Sequence, residues 1–319
     1  MRIPSASTPI EISRILWVID LSIDCDLPLR SALSFASLYG ARLHLLPVLP
    51  GSGKPCLKQV SDLCWGKDEQ KMRDLETFVA RSGCAHTLVR ERGRTEHVVP
   101  KVVEKYGIDL IIVGSHGRQG IEKLARGSVA EHLIRLVPCP VLTLGPHVRS
   151  VSGGLRYSEV LCAIDSTAAT SAFAYALSMA RRFQGSLTLL HVITAAEQSA
   201  AREMDAVLAE TTDKLRALLP PNDPLSCRVN LLAVFGSAPQ AIIEVAESRG
   251  AELIVMSVHE RVPLFASTHF PWSTAHRVIC NAPCPVLTIG EQKERVKEES
   301  VIQLPEHNLI NPIFSEARR

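Results

Sequence analysis

At 319 residues the chain is long enough for two domains of ordinary size. Its 46% hydrophobic and 21% charged residues are those of a globular protein, which excludes a disordered or fibrous one. With 35 basic against 33 acidic residues and a formal net charge of +2, nothing marks a surface for nucleic acid or for an anionic membrane.

From the N-terminus, short apolar runs alternate with amphipathic stretches. The pattern predicts strands near 14–20, 42–48, 85–91, 109–114 and 140–145, with helices near 27–39, 59–82, 95–106 and 127–136. Runs such as Leu110-Ile-Ile-Val113 and Val141-Leu-Thr-Leu144 are short, rich in branched residues and bounded by Gly or Pro, as strands buried on both faces are. Strand–helix alternation gives βαβ units and a parallel sheet. Right-handed crossovers then set helices on both of its faces. The expected fold class is α/β, with a doubly wound five-stranded parallel sheet.

The same order then begins again. Leu16-Trp-Val-Ile-Asp20 matches Leu161-Cys-Ala-Ile-Asp165, an offset of 145 (165 − 20). Pro138-Cys-Pro-Val-Leu-Thr-Leu-Gly145 matches Pro283-Cys-Pro-Val-Leu-Thr-Ile-Gly290 at the same offset. Gly40 pairs with Gly185 and Gly93 with Gly236 between them. Four anchors in one order make a tandem duplication. The expected boundaries are a first domain over 1–147, a linker over 148–157, a second domain over 158–291 and a charged tail over 292–319. The tail reads as a solvated helix or loose segment.

The early apolar run is broken by Asp20, Asp24 and Asp26, too short for a membrane span and unlike a signal peptide. The nine cysteines form no CxxC pair, which argues against a zinc site or redox dithiol. A cytoplasmic protein with reduced thiols is therefore expected, with no metal site. Cys139 and Cys284, each between prolines entering a strand, read as small core residues. His44, His86, His97 and His132 lack metal-ligand spacing and read as surface or packing residues.

The residues that carry chemistry follow the fourth strand. Gly114-Ser115-His116-Gly117, nine further residues and Gly127-Ser128 surround the start of a helix. Glycines there let backbone N–H groups approach an anion without an intervening Cβ. Ser128-Val-Ala-Glu131 is also a capping box, which explains Ser128 but not Gly114 and Gly117. Asp20 has two readings as well, a ligand contact or an Asx turn ending its strand; Asp165 keeps the residue in the second copy. Gly51-Ser-Gly-Lys54 is not a P-loop, because the spacing is wrong and Pro55 follows. Ser152-Gly-Gly154 precedes a strand instead of following one, and Gly114 to Gly120 lacks dinucleotide spacing.

On these residues the chain resembles the universal stress protein family in its tandem two-domain form. The family's nucleotide-binding members carry G-x2-G-x9-G-[ST] after the fourth strand, which Gly114, Gly117, Gly127 and Ser128 fit without a gap. The resemblance covers roughly 12–146 and 158–291. It implies the adenine nucleotide alpha hydrolase-like fold and an adenine nucleotide, usually ATP, with or without Mg²⁺. Asp20 and Val48 would face the adenosine, with Val18 and Val113 lining it. Gly114, Gly117, Gly127, Ser128 and Val129 would hold ribose and phosphates. Lys123 and Arg126 stand close enough in sequence to reach a phosphate oxygen. Pro47 departs from the family, whose members often carry His there; His191 fills that place in the second copy. The resemblance also implies pairing through fifth strands, Val141–Leu144 with Val286–Ile289, within one chain as a pseudo-dimer or between chains as a homodimer.

The second copy keeps the fold and loses the glycines. Ser257, Glu260 and Trp272 replace them, while Ser273 keeps the hydroxyl. A tryptophan covers roughly 150–250 Å² of surface. A carboxylate about 4 Å from a phosphate charge costs roughly 4 kcal/mol at an effective dielectric of 20. The second site is therefore expected to be empty, with Phe265, Phe270, Pro271 and Trp272 plugging it or forming a contact surface. The leading functional expectation is an ATP-binding stress-response protein acting through nucleotide-dependent conformation or partner binding, with no catalytic residue. The alternative is a slow ATP-hydrolysing or adenylate-transferring enzyme using His116 and Ser115. A third is a nucleotide-free scaffold whose glycine loop is only a tight turn.

Overall fold

The computed structural model describes residues 9–21, 25–48, 58–91, 93, 95–114, 129–149, 157–165, 171–195, 203–220, 227–259 and 273–291. Within them the first copy runs β1 (Arg14–Asp20), α1 (Asp26–Tyr39), β2 (Arg42–Val48), α2 (Lys58–Arg81), β3 (His86–Leu88), α3 (Thr95–Tyr106), β4 (Leu110–Gly114), α4 (Val129–Leu136) and β5 (Val141–Leu144). The second runs β6 (Glu159–Ile164), α5 (Ser171–Arg182), β7 (Ser186–Ile193), α6 (Met204–Ala217), β8 (Arg228–Phe235), α7 (Ala238–Arg249), β9 (Leu253–His259), α8 (Ser273–Asn281) and β10 (Val286–Glu291).

The apolar runs became strands because both faces are covered. Ile15 to Ile19 of β1 are all buried, and the alternating residues divide between two cores. One core takes Trp17 with α1, α2, α5 and α6; the other takes Leu16 and Val18 with α3, α4, α7 and α8. In α3, Val98, Val99, Val102 and Val103 form the stripe that a helix lays on a sheet. Gly40 ends α1 in the left-handed region (φ 63°), where its N–H bonds the Ala36 carbonyl.

Both copies have the same winding. The strands form one ten-stranded sheet in the order β3-β2-β1-β4-β5-β10-β9-β6-β7-β8. Pairing is parallel within each copy. The repeat extends to backbone detail, since Gly93 (φ 137°) and Gly236 (φ 149°) both precede the third helix of their copy. β3 is shorter than the expected 85–91. It lies at the sheet's edge with only β2 beside it, paired over Leu43–Leu45, and exposed Arg90 and Glu91 follow.

The copies join at β5 and β10, which pair antiparallel: Val286 with Thr143, Leu287 with Leu142, Thr288 with Val141. The Thr288 hydroxyl donates to the Val141 carbonyl at 3.2 Å. Each of these strands then has two neighbours, so the sheet's free edges are β3 and β8. A homodimer through the fifth strands has no open edge to use in this arrangement.

A ring cluster adds to the join. Phe35 of α1 lies 5.0 Å from Tyr157 and 5.8 Å from Phe183, between ring centroids. The buried Tyr157 hydroxyl donates to Ser31 Oγ at 3.1 Å. Arg182 stacks over Tyr39 and donates to the Leu38 carbonyl at 2.9 Å. The segment expected to be a linker thus ends on an anchor: Val148 and Tyr157 are both buried.

Candidate functional site

In each copy the chain winds from its first strand to one side and later returns to the other, so the first and fourth strands lie together at a switch point. Ligands in open parallel sheets bind outside the strand carboxyl ends at that point. In the first copy it is the exit of β1 and β4.

The strand register assembles the expected residues there. Val18 pairs with Val113, Asp20 with Val48, and Gly114 with Leu144. Val18 and Val113 are buried, on the face shared with α3 and α4. Asp20, two residues beyond Val18, and Gly114, one beyond Val113, are half-buried. The lip therefore grades from apolar wall to polar rim within two residues. Its backbone is tied down: the Cys25 thiol donates to the Asp20 carbonyl at 3.6 Å and Lys71 Nζ to the Leu21 carbonyl at 3.0 Å. Val129 is the first residue of α4. Gly117, Gly127 and Ser128 lie outside the described residues, as do Ser115, His116, Lys123 and Arg126.

The corresponding edge of the second copy is built differently. Pro47 stands beside Ile19, and His191 stands beside Ile164 in the same place. His191 is buried and its Nδ1 lies 3.1 Å from the Ile164 carbonyl, so this imidazole closes on its own sheet. Ser257, in the position of Gly114, is followed by two further residues of β9, which pair with β10 as far as His259. Glu260, Phe265, Phe270, Pro271 and Trp272 lie outside the described residues, and Ser273 opens α8.

Among the described residues no cluster of three His, Cys, Asp or Glu side chains is placed to hold a metal ion, and Cys25, Cys84, Cys139, Cys162, Cys227, Cys280 and Cys284 form no disulfide. Among the described residues no helix is long and apolar enough to cross a membrane. Sequence reasoning missed one feature. A cavity of about 540 Å³ lies at the opposite, N-terminal edge of the first sheet, between the first residues of β1 and β2 and the last turn of α3. His44, expected to be a surface or packing residue, is buried there against Tyr106 at 4.9 Å. The only signal was that β1 and β2 both open on arginine.

The model of the universal stress protein family matches residues 11–144 and again residues 156–290. A universal stress protein of Methanocaldococcus jannaschii is 27% identical over 122 residues, covering 36% of this chain and 71% of the relative. Another, from Coxiella burnetii, is 42% identical over 59 residues, 18% of this chain and 38% of the relative. Among solved structures, a universal stress protein of Archaeoglobus fulgidus superposes with a TM-score of 0.68 at 22% identity, covering 88% of this chain and 97% of that one. The chain belongs to the universal stress protein family and carries two of its domains in tandem.

Proposed function

We propose that this tandem universal stress protein binds one adenine nucleotide, ATP, at the β1/β4 edge of its first domain and acts in stress response through the conformation or partner that the nucleotide favours. The observation that carries the reading is the register that sets Val18 beside Val113 and Asp20 beside Val48 at the switch point, with Gly114 ending β4. Two valines give a wall for a purine. The carboxylate of Asp20 suits a donor on base or ribose. Gly114 opens the glycine spacing that leaves N–H groups available to phosphate oxygens. The bound nucleotide would supply negative charge and a rigid aromatic body. The chain's own residues would hold and orient it.

A route to the rest of the molecule starts at the same lip. α1 begins at Asp26, six residues after Asp20, and carries Ser31 and Phe35 onto Tyr157 of the second copy. Ordering the lip would therefore bear on the join between the copies. A ligand that binds only the folded state stabilises it by about 2.7 kcal/mol at a hundredfold excess over Kd.

Titration calorimetry of the full chain with ATP is the test. The expected stoichiometry is one per chain, lost in Gly117→Trp. Two nucleotides per chain, or heat unaffected by that substitution, would defeat the assignment to the first domain.

A further inference from the structure

β1 and β2 each begin with an arginine, and the register sets Arg14 directly beside Arg42. Paired residues on parallel neighbours project to the same face, here the face of Leu16, His44 and α3. Like charges directly opposite each other destabilise a sheet. Among the described residues neither arginine forms an ion pair with a carboxylate, and Glu104 lines the same cavity. Arg14 Nη1 donates to the carbonyls of Tyr106 at 3.1 Å and Gly107 at 3.4 Å, and Arg42 Nη1 to that of His86 at 3.3 Å. Oδ2 of the nearby Asp109 accepts from the backbone N–H groups of Ser13 at 2.8 Å and Arg14 at 2.9 Å.

Over the two guanidiniums opens the cavity of about 540 Å³, within the usual size range of small-molecule pockets. His44 lines it, 4% exposed, and neither of its ring nitrogens has a hydrogen-bond partner. A buried polar group without a partner is rare and costly. Lys105 stands at the rim, 3.2 Å from Glu91 and 5.2 Å above the Tyr106 ring. Gly107 adopts a left-handed turn (φ 59°), and a Cβ there would crowd Arg14 Nη1.

We propose that this edge is a second ligand site, taking a small, multiply charged oxyanion between Arg14 and Arg42. Guanidinium forks match phosphate and carboxylate oxygens in pairs. One such anion would relieve the arginine–arginine repulsion that the sheet otherwise bears. The groups lining the cavity with His44 are Arg14 from β1, Arg42 from β2, and Glu104, Lys105 and Tyr106 from α3, while Thr87 of the adjoining β3 is its register partner. Burial first, then Arg42 and Arg14, push the imidazole pKa below its ordinary value. An anion on the arginines weakens the second cause, so the anion and the His44 proton favour each other, and binding tightens as pH falls.

The probe is inorganic pyrophosphate, added to the full chain with the histidine ring resonances followed by NMR; a His44→Asn variant assigns the line. Pyrophosphate is expected to raise the titration midpoint of His44. Arg42→Gln is expected to weaken binding tenfold or more, the scale of one hydrogen bond to a charged group, at roughly 1.5–3 kcal/mol. Gly117→Trp, in the segment that follows β4 in sequence, is expected to leave it unchanged. The proposal fails if pyrophosphate does not bind or if the His44 midpoint stays fixed on binding. It also fails if Gly117→Trp, and not Arg42→Gln, removes the binding. Arg42 is the primary variant because Arg14 also holds the end of α3; Lys105→Gln is the second, expected to weaken binding by less.

Discussion

Gly145 and Ile279 belong to different copies of the repeat, yet their backbones touch: a Cβ on Gly145 would overlap the Ile279 carbonyl oxygen. The mirror contact is looser, since a Cβ on Gly290 would lie 3.8 Å from the Ile134 carbonyl oxygen. Gly145 directly follows β5 and Gly290 is the next-to-last residue of β10, so the join between copies is only approximately symmetric. Overpacking a tight contact costs about 1–3 kcal/mol. Gly145→Ala is expected to lower stability by about that much, and Gly290→Ala to change it by less than about 0.5 kcal/mol. Urea midpoints of the two variants, measured side by side, check the difference; equal losses would count against the asymmetry.

The ring cluster makes a second prediction. Tyr157 is fully buried and contributes both aromatic area and the hydroxyl bonded to Ser31. Tyr157→Ala is expected to cost roughly 3–5 kcal/mol, as for other large aromatic truncations. Ser31→Ala leaves a buried phenol without its partner and is expected to cost about 1–3 kcal/mol. Adding Tyr157→Phe to Ser31→Ala should recover part of that loss. A double-mutant cycle with no coupling would show that this hydrogen bond does not help to hold the copies together.

Alkaline pH tests the burial of several groups together. Burial pushes the thiols of Cys139 and Cys284 and the phenols of Tyr39 and Tyr175 up to about 12. In the unfolded chain thiols ionise near about 8.5 and phenols near about 10. Between those values and about 12 the unfolded state has released protons that the folded state keeps. Stability is therefore full below about pH 8 and falls as pH rises through that window. Denaturant midpoints at pH 8 and pH 10.5 should differ in that direction. At pH 8 the buried thiols should resist iodoacetamide until the protein is unfolded.

What was legible of the candidate site is the alignment of its strand-end residues; Gly117, Gly127 and Ser128 lie outside the described residues. Val18, Asp20, Val48 and Val113 each sit at or near the close of a short apolar run, and parallel pairing aligns such ends automatically. The duplication was readable from the matching runs that open and close each copy. β3 was overestimated because edge strands have one partner, and nothing local says where pairing stops. Phe35, Tyr157 and Phe183 gave no sign of meeting, since only the antiparallel join of β5 and β10 brings α1 against the second copy. The Arg14–Arg42 pair escaped notice for a related reason. It depends on the register between two strands and on where α3 ends, neither of which is written in one stretch of sequence.

One nucleotide in the first domain is the central claim, and the natively purified chain tests it most directly. Denaturing that protein and identifying the released small molecules by mass spectrometry should yield an adenine nucleotide, with at most one per chain. Gly127→Trp, which copies the second domain's residue into the first, should release none while its circular dichroism stays unchanged. Adenine nucleotide recovered undiminished from the folded Gly127→Trp protein would contradict the account. So would a wild-type chain that carries none and shows no thermal shift with ATP.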